Sequence, residues 1–149
     1  MDTYTFLAHA VKLEREAEEA YLKLVDSMLA RGNHDAAEFF REMAGFCRLH
    51  RNIAAQRAGF DDATDIRGII DSWLGGNSET PDLKDAEKPL DLDAAMSLAL
   101  AAEKRGVVFY EGIARTTTDT QTRLHAEEFA AEERGHVLAL ERFFGIESY

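Results

Sequence analysis

The sequence predicts an all-α protein that folds as a four-helix bundle, in which a long crossover joins two antiparallel helical hairpins. Apolar residues recur at steps of three and four in four long stretches, which is the period of a helix with one buried face. Short breaks separate the stretches within each pair, as expected of helical hairpins. No segment alternates polar and apolar residues over enough length to build a sheet.

The first hairpin comprises helices at about residues 5–30 and 35–58. The first helix carries Phe6, Leu13 and Tyr21 on one face, at helical spacing. It is expected to end at Gly32, because glycine adopts the left-handed backbone conformation that terminates helices. The short connection makes the two helices antiparallel neighbours.

A crossover is predicted at about residues 59–91. This segment contains both prolines, Pro81 and Pro89. One short helix is expected inside it, at about residues 63–73. The crossover is long enough to run the length of the bundle.

The second hairpin comprises helices at about residues 92–115 and 119–144. Asp91 or Asp93 is the expected N-cap of its first helix, since a short acidic side chain can accept a bond from a free backbone N–H. Three threonines and Asp119 then break the pattern and cap the last helix, which is expected to stop at Gly145.

Length and charge restrict the function. The 149 residues are expected to form one domain, residues 1–149. The net charge of −11 argues against a nucleic acid or an anionic membrane surface as partner. No apolar run approaches the roughly 20 residues of a membrane span, and no secretory signal is visible, so the expected location is the cytoplasm.

The informative motif is a glutamate and a tyrosine seven residues apart, which occurs once in each hairpin. Glu14 precedes Tyr21 in the first helix, and Glu103 precedes Tyr110 in the third. Seven residues are two helical turns, so each glutamate shares the face of its tyrosine, which is also the apolar face. Both glutamates are therefore expected to point inward.

A histidine follows in the second helix of each hairpin. Glu133 and His136 form a Glu-x-x-His motif in the fourth helix. When the second helix is aligned with the fourth so that His50 matches His136, Cys47 occupies the position that corresponds to Glu133. The glutamates and the histidines lie at similar distances from their turns, so all four helices can bring them to one level of the bundle.

A metal site is the natural interpretation of this set, because a divalent cation neutralises buried carboxylates that otherwise destabilise a fold. Carboxylates with imidazoles suit iron or manganese better than structural zinc. The alternative for Cys47 is a small buried hydrophobe, and the alternative for His50 is a residue at the helix edge. Tyr21 and Tyr110 are expected to be core aromatics whose hydroxyls bond a nearby glutamate.

At these motifs the chain resembles the rubrerythrin family of the ferritin-like superfamily. The resemblance covers all four long helices and is carried by Glu14 through Tyr21, Glu103 through Tyr110, and Glu133 through His136. It implies a ferritin-like bundle that holds two irons. In that arrangement the terminal ligands are Glu14 and Glu103, the imidazole ligands are His50 and His136, and the bridge is Glu133. Family members reduce hydrogen peroxide or oxidise ferrous iron, and often dimerise.

Three features depart from the family pattern. Cys47 stands where the family has the glutamate of its first Glu-x-x-His, so Cys47 is an additional candidate ligand in place of a bridging carboxylate. Gly106 stands where rubrerythrins tend to have a second glutamate. The chain has no rubredoxin segment, and a single cysteine cannot hold a rubredoxin-type iron, so an enzyme would need an external electron donor.

Three functions remain open on this basis. The leading hypothesis is an oxidoreductase of the di-iron type, a homodimer whose substrate is a small oxidant or ferrous iron. The second is a non-enzymatic metal-binding or storage protein with one iron or another divalent metal. The third is a bundle whose site has decayed and which serves as an interaction module.

Overall fold

A computed structural model describes residues 1–74 and 89–145, and for residues 72–74 only the backbone. All regular structure in these ranges is helical, which confirms the predicted fold class. The helices are α1 (Thr3–Ala30), α2 (His34–Ala58), α3 (Ile66–Leu74), α4 (Leu92–Thr116) and α5 (Thr120–Phe143). Residues 75–88 of the predicted crossover lie outside the described residues.

Short polar side chains begin the long helices. Asp2, Asn33 and Asp91 each accept a hydrogen bond from the backbone N–H three residues later, at 2.7, 3.1 and 2.8 Å. Asp119 caps α5 by accepting from the backbone N–H of Gln121. Each cap satisfies a backbone donor that has no partner inside the helix.

Glycine ends α1 as expected from the sequence. Gly32 has a φ of +74°, and the backbone N–H of Asn33 bonds the carbonyl of Met28 at 2.9 Å. This left-handed closure turns the chain directly into α2.

The short helix α3 begins three residues later than expected, at Ile66 instead of residue 63. Asp61 and Thr64 form a turn in the intervening segment, in which Asp61 accepts from the backbone N–H of Ala63 and Thr64 accepts from that of Asp61. These local bonds offer the backbone an alternative to helix. Asp65 then accepts a bond from the N–H of Gly68 and caps α3.

The helices pack as two hairpins, α1 with α2 and α4 with α5, and α3 packs against α1. No helix of the described residues is long and apolar enough to cross a membrane.

The buried apolar residues form two clusters, and a level of polar residues lies between them. The first cluster includes Tyr21, Met28, Phe40, Cys47, Ala99 and Leu140. The second cluster includes Phe6, Val11, Ala54, Ile70, Tyr110 and Phe129. Every long helix contributes to both clusters. The residues between them, here called the polar layer, are Glu14, His50, Glu103, Glu133 and His136.

Candidate metal centre

The four long helices each contribute to the polar layer, because each has a polar residue where its contribution to one apolar cluster ends and the other begins. Glu14 comes from α1, His50 from α2, Glu103 from α4, and Glu133 with His136 from α5. The three glutamates and His50 are buried, and the side chain of His136 is 14% exposed.

Glu14, His50 and Glu133 form the first of two ligand groups. One ligand atom from each residue lies within 4.8 Å of the others. Nδ1 of His50 is 2.9 Å from Oε1 of Glu14.

Glu103, Glu133 and His136 form the second ligand group, whose ligand atoms also lie within 4.8 Å of one another. Nδ1 of His136 is 3.3 Å from Oε2 of Glu103 and 3.7 Å from Oε2 of Glu133. Glu133 therefore belongs to both groups, and in both histidines Nδ1 faces a glutamate of the polar layer.

Burial raises the pKa values of two carboxylates of the polar layer, Glu103 and Glu133. Burial raises the pKa of Glu103 to about 7, and the neighbouring Glu133 adds to the rise. Burial also raises the pKa of Glu133. The charged forms are therefore poorly stabilised by the protein alone.

The pKa values of the two histidines are also raised, but by neighbouring carboxylates and against the effect of burial. Burial acts to lower the pKa of His50, but Glu132 and Glu14 outweigh it and raise the pKa to about 9. Glu103 and Glu133 likewise outweigh burial at His136 and raise its pKa to about 11. Protons on the imidazoles thus balance carboxylate charge, and a divalent cation can take over that role.

Among the described residues, Tyr21 forms a hydrogen bond to the polar layer and Tyr110 does not. Tyr21 donates a hydrogen bond of 2.6 Å to Oε1 of Glu103. The buried hydroxyl of Tyr110 has no hydrogen-bond partner among the described residues, so the expected bond to a glutamate is absent there. Three phenylalanine rings, from Phe6, Phe109 and Phe129, contact the ring of Tyr110 and hold it in the second apolar cluster.

The sequence matches the rubrerythrin family over residues 5–144. This chain is a member of the rubrerythrin family. It is also similar to the crystal structure of an uncharacterized conserved protein from Magnetospirillum magnetotacticum MS-1. The two are 32% identical with a TM-score of 0.77, over 100% of this chain and 97% of the other. The bundle is therefore ferritin-like. No curated protein matches the chain.

Cys47 is the main departure of this rubrerythrin-family chain from the family pattern. Its side chain is fully buried, packs in the first apolar cluster, and belongs to neither ligand group. Burial raises the pKa of its thiol, and Glu14, Glu103 and Glu133 raise it further. The protein environment therefore favours the neutral thiol, which ligates metals poorly compared with the thiolate.

Gly106 leaves room beside the carboxylate that both ligand groups share. A Cβ atom built there would lie 3.2 Å from Oε2 of Glu133, which is closer than ordinary contact. The Glu133 side chain therefore lies against Gly106, at the position where rubrerythrins tend to have a second glutamate.

Two acids in contact with α2 were not anticipated from the sequence. Oε2 of Glu132 lies 2.9 Å from Nε2 of His50. Glu18 is buried and pairs with Arg48 at 2.7 Å and with Arg51 at 2.5 Å. The spacing from Glu14 to Glu18 is one helical turn and could have indicated a shared face.

His9 is also buried, beside the ring of Phe109. Burial lowers its pKa to about 4. His9 is therefore a neutral core histidine at physiological pH.

Proposed function

We propose that this protein binds two iron ions in the polar layer and acts as an oxidoreductase that reduces peroxide or oxidises ferrous iron. The observation that carries the proposal is the sharing of Glu133 by two ligand groups, each completed by one more glutamate and one histidine. Membership of the rubrerythrin family supports the same reading.

The donor set fits the proposed ions. Each group offers two carboxylates and one imidazole, a mixture that suits iron and also admits other divalent metals such as manganese. Glu14 with His50 would hold one ion, Glu103 with His136 would hold the other, and Glu133 would serve both. Cations would also remove the cost that burial imposes on these carboxylates.

The chain's own residues would supply position and a dry environment. Tyr21 restrains the Glu103 carboxylate through its hydrogen bond. The two apolar clusters exclude water from both sides of the polar layer. Two ferrous ions, when bound, supply the two electrons that convert hydrogen peroxide and two protons into two waters.

The remaining parts of the proposal concern partners. An external donor would return the electrons, because one buried cysteine provides no second redox centre in this chain. We further propose a homodimer that works in the cytoplasm on a small oxidant or on ferrous iron.

A second candidate function, metal binding or storage without turnover, is favoured by Cys47. A thiol outside both ligand groups replaces a carboxylate that would bridge two ions. Loss of a bridge weakens the coupling between two metals, and leaves a site suited to one ion or to a weak pair.

Metal content and redox cycling distinguish these functions. The protein would be purified from iron-supplemented cells without chelator, and its metal content and optical spectrum measured before and after peroxide. The proposal predicts two irons per chain and a ferric absorption that bleaches on reduction and returns with peroxide. Bound metal without redox cycling would support the storage function. A protein that contains no metal and is equally stable with and without chelator would overturn both functions.

Substitution of Cys47 provides a further test of the same proposal. Cys47→Ala should retain both irons and the cycling, because the thiol lies outside both ligand groups. Loss of one iron in this variant would instead make Cys47 a ligand.

A further inference from the structure

His50 lies between two carboxylates, one at each ring nitrogen. Glu14 approaches Nδ1 and Glu132 approaches Nε2, both at 2.9 Å. The ring itself is 2% exposed, and the edge-on ring of Phe129 lies 4.3 Å from it between centroids. The polar contacts that can fix the orientation of the His50 ring are therefore those with Glu14 and Glu132.

We propose that Glu132 is a positioning residue that holds His50 with Nδ1 toward the ligands and Nε2 toward the groove between α2 and α5. The metal-binding consequence rests on the proposed function, whereas the contact between Glu132 and His50 does not. Metal-binding histidines commonly donate their second ring N–H to a carboxylate, which fixes the orientation of the ring and makes it a better ligand.

The geometry of the contact is close but not ideal. Nε2 of His50 is at ion-pair distance from Glu132, yet the angle lies outside the hydrogen-bond range, so no described residue completes a hydrogen bond to this nitrogen. The Glu132 side chain is 40% exposed and can rotate into line at small cost.

Of the two histidines of the polar layer, His50 alone has a described carboxylate at each ring nitrogen. Both carboxylate contacts of His136 among the described residues involve Nδ1, and the ring of Phe46 stacks on its imidazole at 6.1 Å. Glu132 would thus make the two metal positions unequal and strengthen the one formed by Glu14 and His50.

Glu132 lies at the wall of a cavity of about 380 Å³ between α2 and α5. The rest of this wall is mainly apolar and includes Met43, Phe46, Leu49, Ile53 and Ala139. Because Glu132 faces this open space and not the core, its replacement should leave the packing of the bundle intact.

Titration of the metal-free protein with Zn²⁺ tests the inference. Glu132→Ala should weaken one of two binding steps by about 10- to 100-fold and leave the other within about twofold. Glu132→Gln, which keeps an acceptor oxygen, should recover part of the loss. The control is Glu127→Ala, an exposed acid of the same helix whose removal should change neither step.

Ring N–H signals of His50 test the contact even if the wild-type protein binds no metal. The metal-free wild type and Glu127→Ala should show a low-field Nε2–H proton resonance, typical of an N–H that donates to a carboxylate, and Glu132→Ala should lose it. Unchanged signals together with equal Zn²⁺ affinities in Glu132→Ala and Glu127→Ala would overturn the inference. Absence of metal binding with a lost signal would refute the proposed function and retain the positioning role.

Discussion

At the scale of single residues, Tyr21 and Tyr110 occupy matching places in the sequence but differ in their bonds. Tyr21 donates to Glu103 at 2.6 Å, whereas the Tyr110 hydroxyl is buried without a hydrogen-bond partner among the described residues. The same substitution at the two positions should therefore have different consequences.

Tyr21→Phe should lower the free energy of unfolding by about 1–3 kcal/mol, because it leaves a buried carboxylate oxygen without its donor. Tyr110→Phe is the matched control and should change the free energy of unfolding little or raise it, since no described residue bonds the Tyr110 hydroxyl. Urea unfolding of the two metal-free variants measures both effects. Equal losses of unfolding free energy in the two variants would contradict the difference in hydrogen bonding between Tyr21 and Tyr110.

Glu133 is the residue on which both ligand groups depend. Glu133→Gln should reduce the metal content of the purified protein at both positions, because one oxygen donor is lost from each group. Without metal the same variant should be at least as stable as the wild type, because burial raises the pKa of Glu133 and so penalises its charge. Elemental analysis and thermal unfolding with chelator measure the two outcomes. Glu127→Gln serves as control, and a large loss of metal-free stability in Glu133→Gln would argue that the carboxylate is structural.

At the scale of the helix, α4 contains two glycines in different surroundings. A Cβ at Gly106 would lie 3.2 Å from Oε2 of Glu133, whereas a Cβ at Gly112 would meet no heavy atom within 4 Å. Both positions are helical, so alanine would be favoured over glycine by backbone propensity at each.

Gly112→Ala should raise the free energy of unfolding by about 0.5–1 kcal/mol and leave metal affinity unchanged. Gly106→Ala should weaken metal binding, because the new methyl group displaces the Glu133 carboxylate. Unfolding curves and Zn²⁺ titrations of the two variants give the comparison. Equal Zn²⁺ affinities in the two variants would show that the Glu133 side chain can move away from the added methyl group without any loss of metal binding.

At the scale of the whole molecule, protons and cations compete for the polar layer. The pKa values of His50 and His136 are raised to about 9 and about 11, from an ordinary value of 6.5. A raised pKa contributes stability that is complete below the unfolded pKa and is lost as pH rises through the folded pKa. His9 and His125, whose pKa values are lowered, are already neutral above pH 7 and do not oppose this trend.

The metal-free protein should therefore become less stable from pH 7 to 9. Metal affinity should rise over the same range, because binding displaces the imidazole protons. Thermal unfolding with chelator and Zn²⁺ titration at several pH values measure the two trends. The His50→Gln, His136→Gln double variant should lose less stability than the wild type in this window, and the decline that remains should come from Glu103, whose pKa burial raises to about 7. A metal-free wild type whose stability rises from pH 7 to 9 would contradict the raised pKa values.

The sequence predicted the bundle well because the features that begin, continue and end a helix act between residues close together in the chain. Helical periodicity and terminal residues such as Asp91, Gly32 and Asp119 act within a few residues of their own position, and the long helices differ from the expected ranges by no more than two residues at either end. Glu14 and Glu103 could be recognised as inward-facing for the same reason, because each lies two helical turns from a tyrosine on the apolar face of its own helix.

The sequence by itself determined the helices, the inward faces and the candidate ligands. Only the tertiary structure decided which atoms meet: that Glu132 lies against His50, that Glu18 pairs with two arginines of α2, and that Tyr110 lacks the bond that Tyr21 makes. The reason is that such contacts depend on the rotation and spacing of neighbouring helices. Those quantities are set by packing over the whole bundle, and residue spacing within one helix does not encode them.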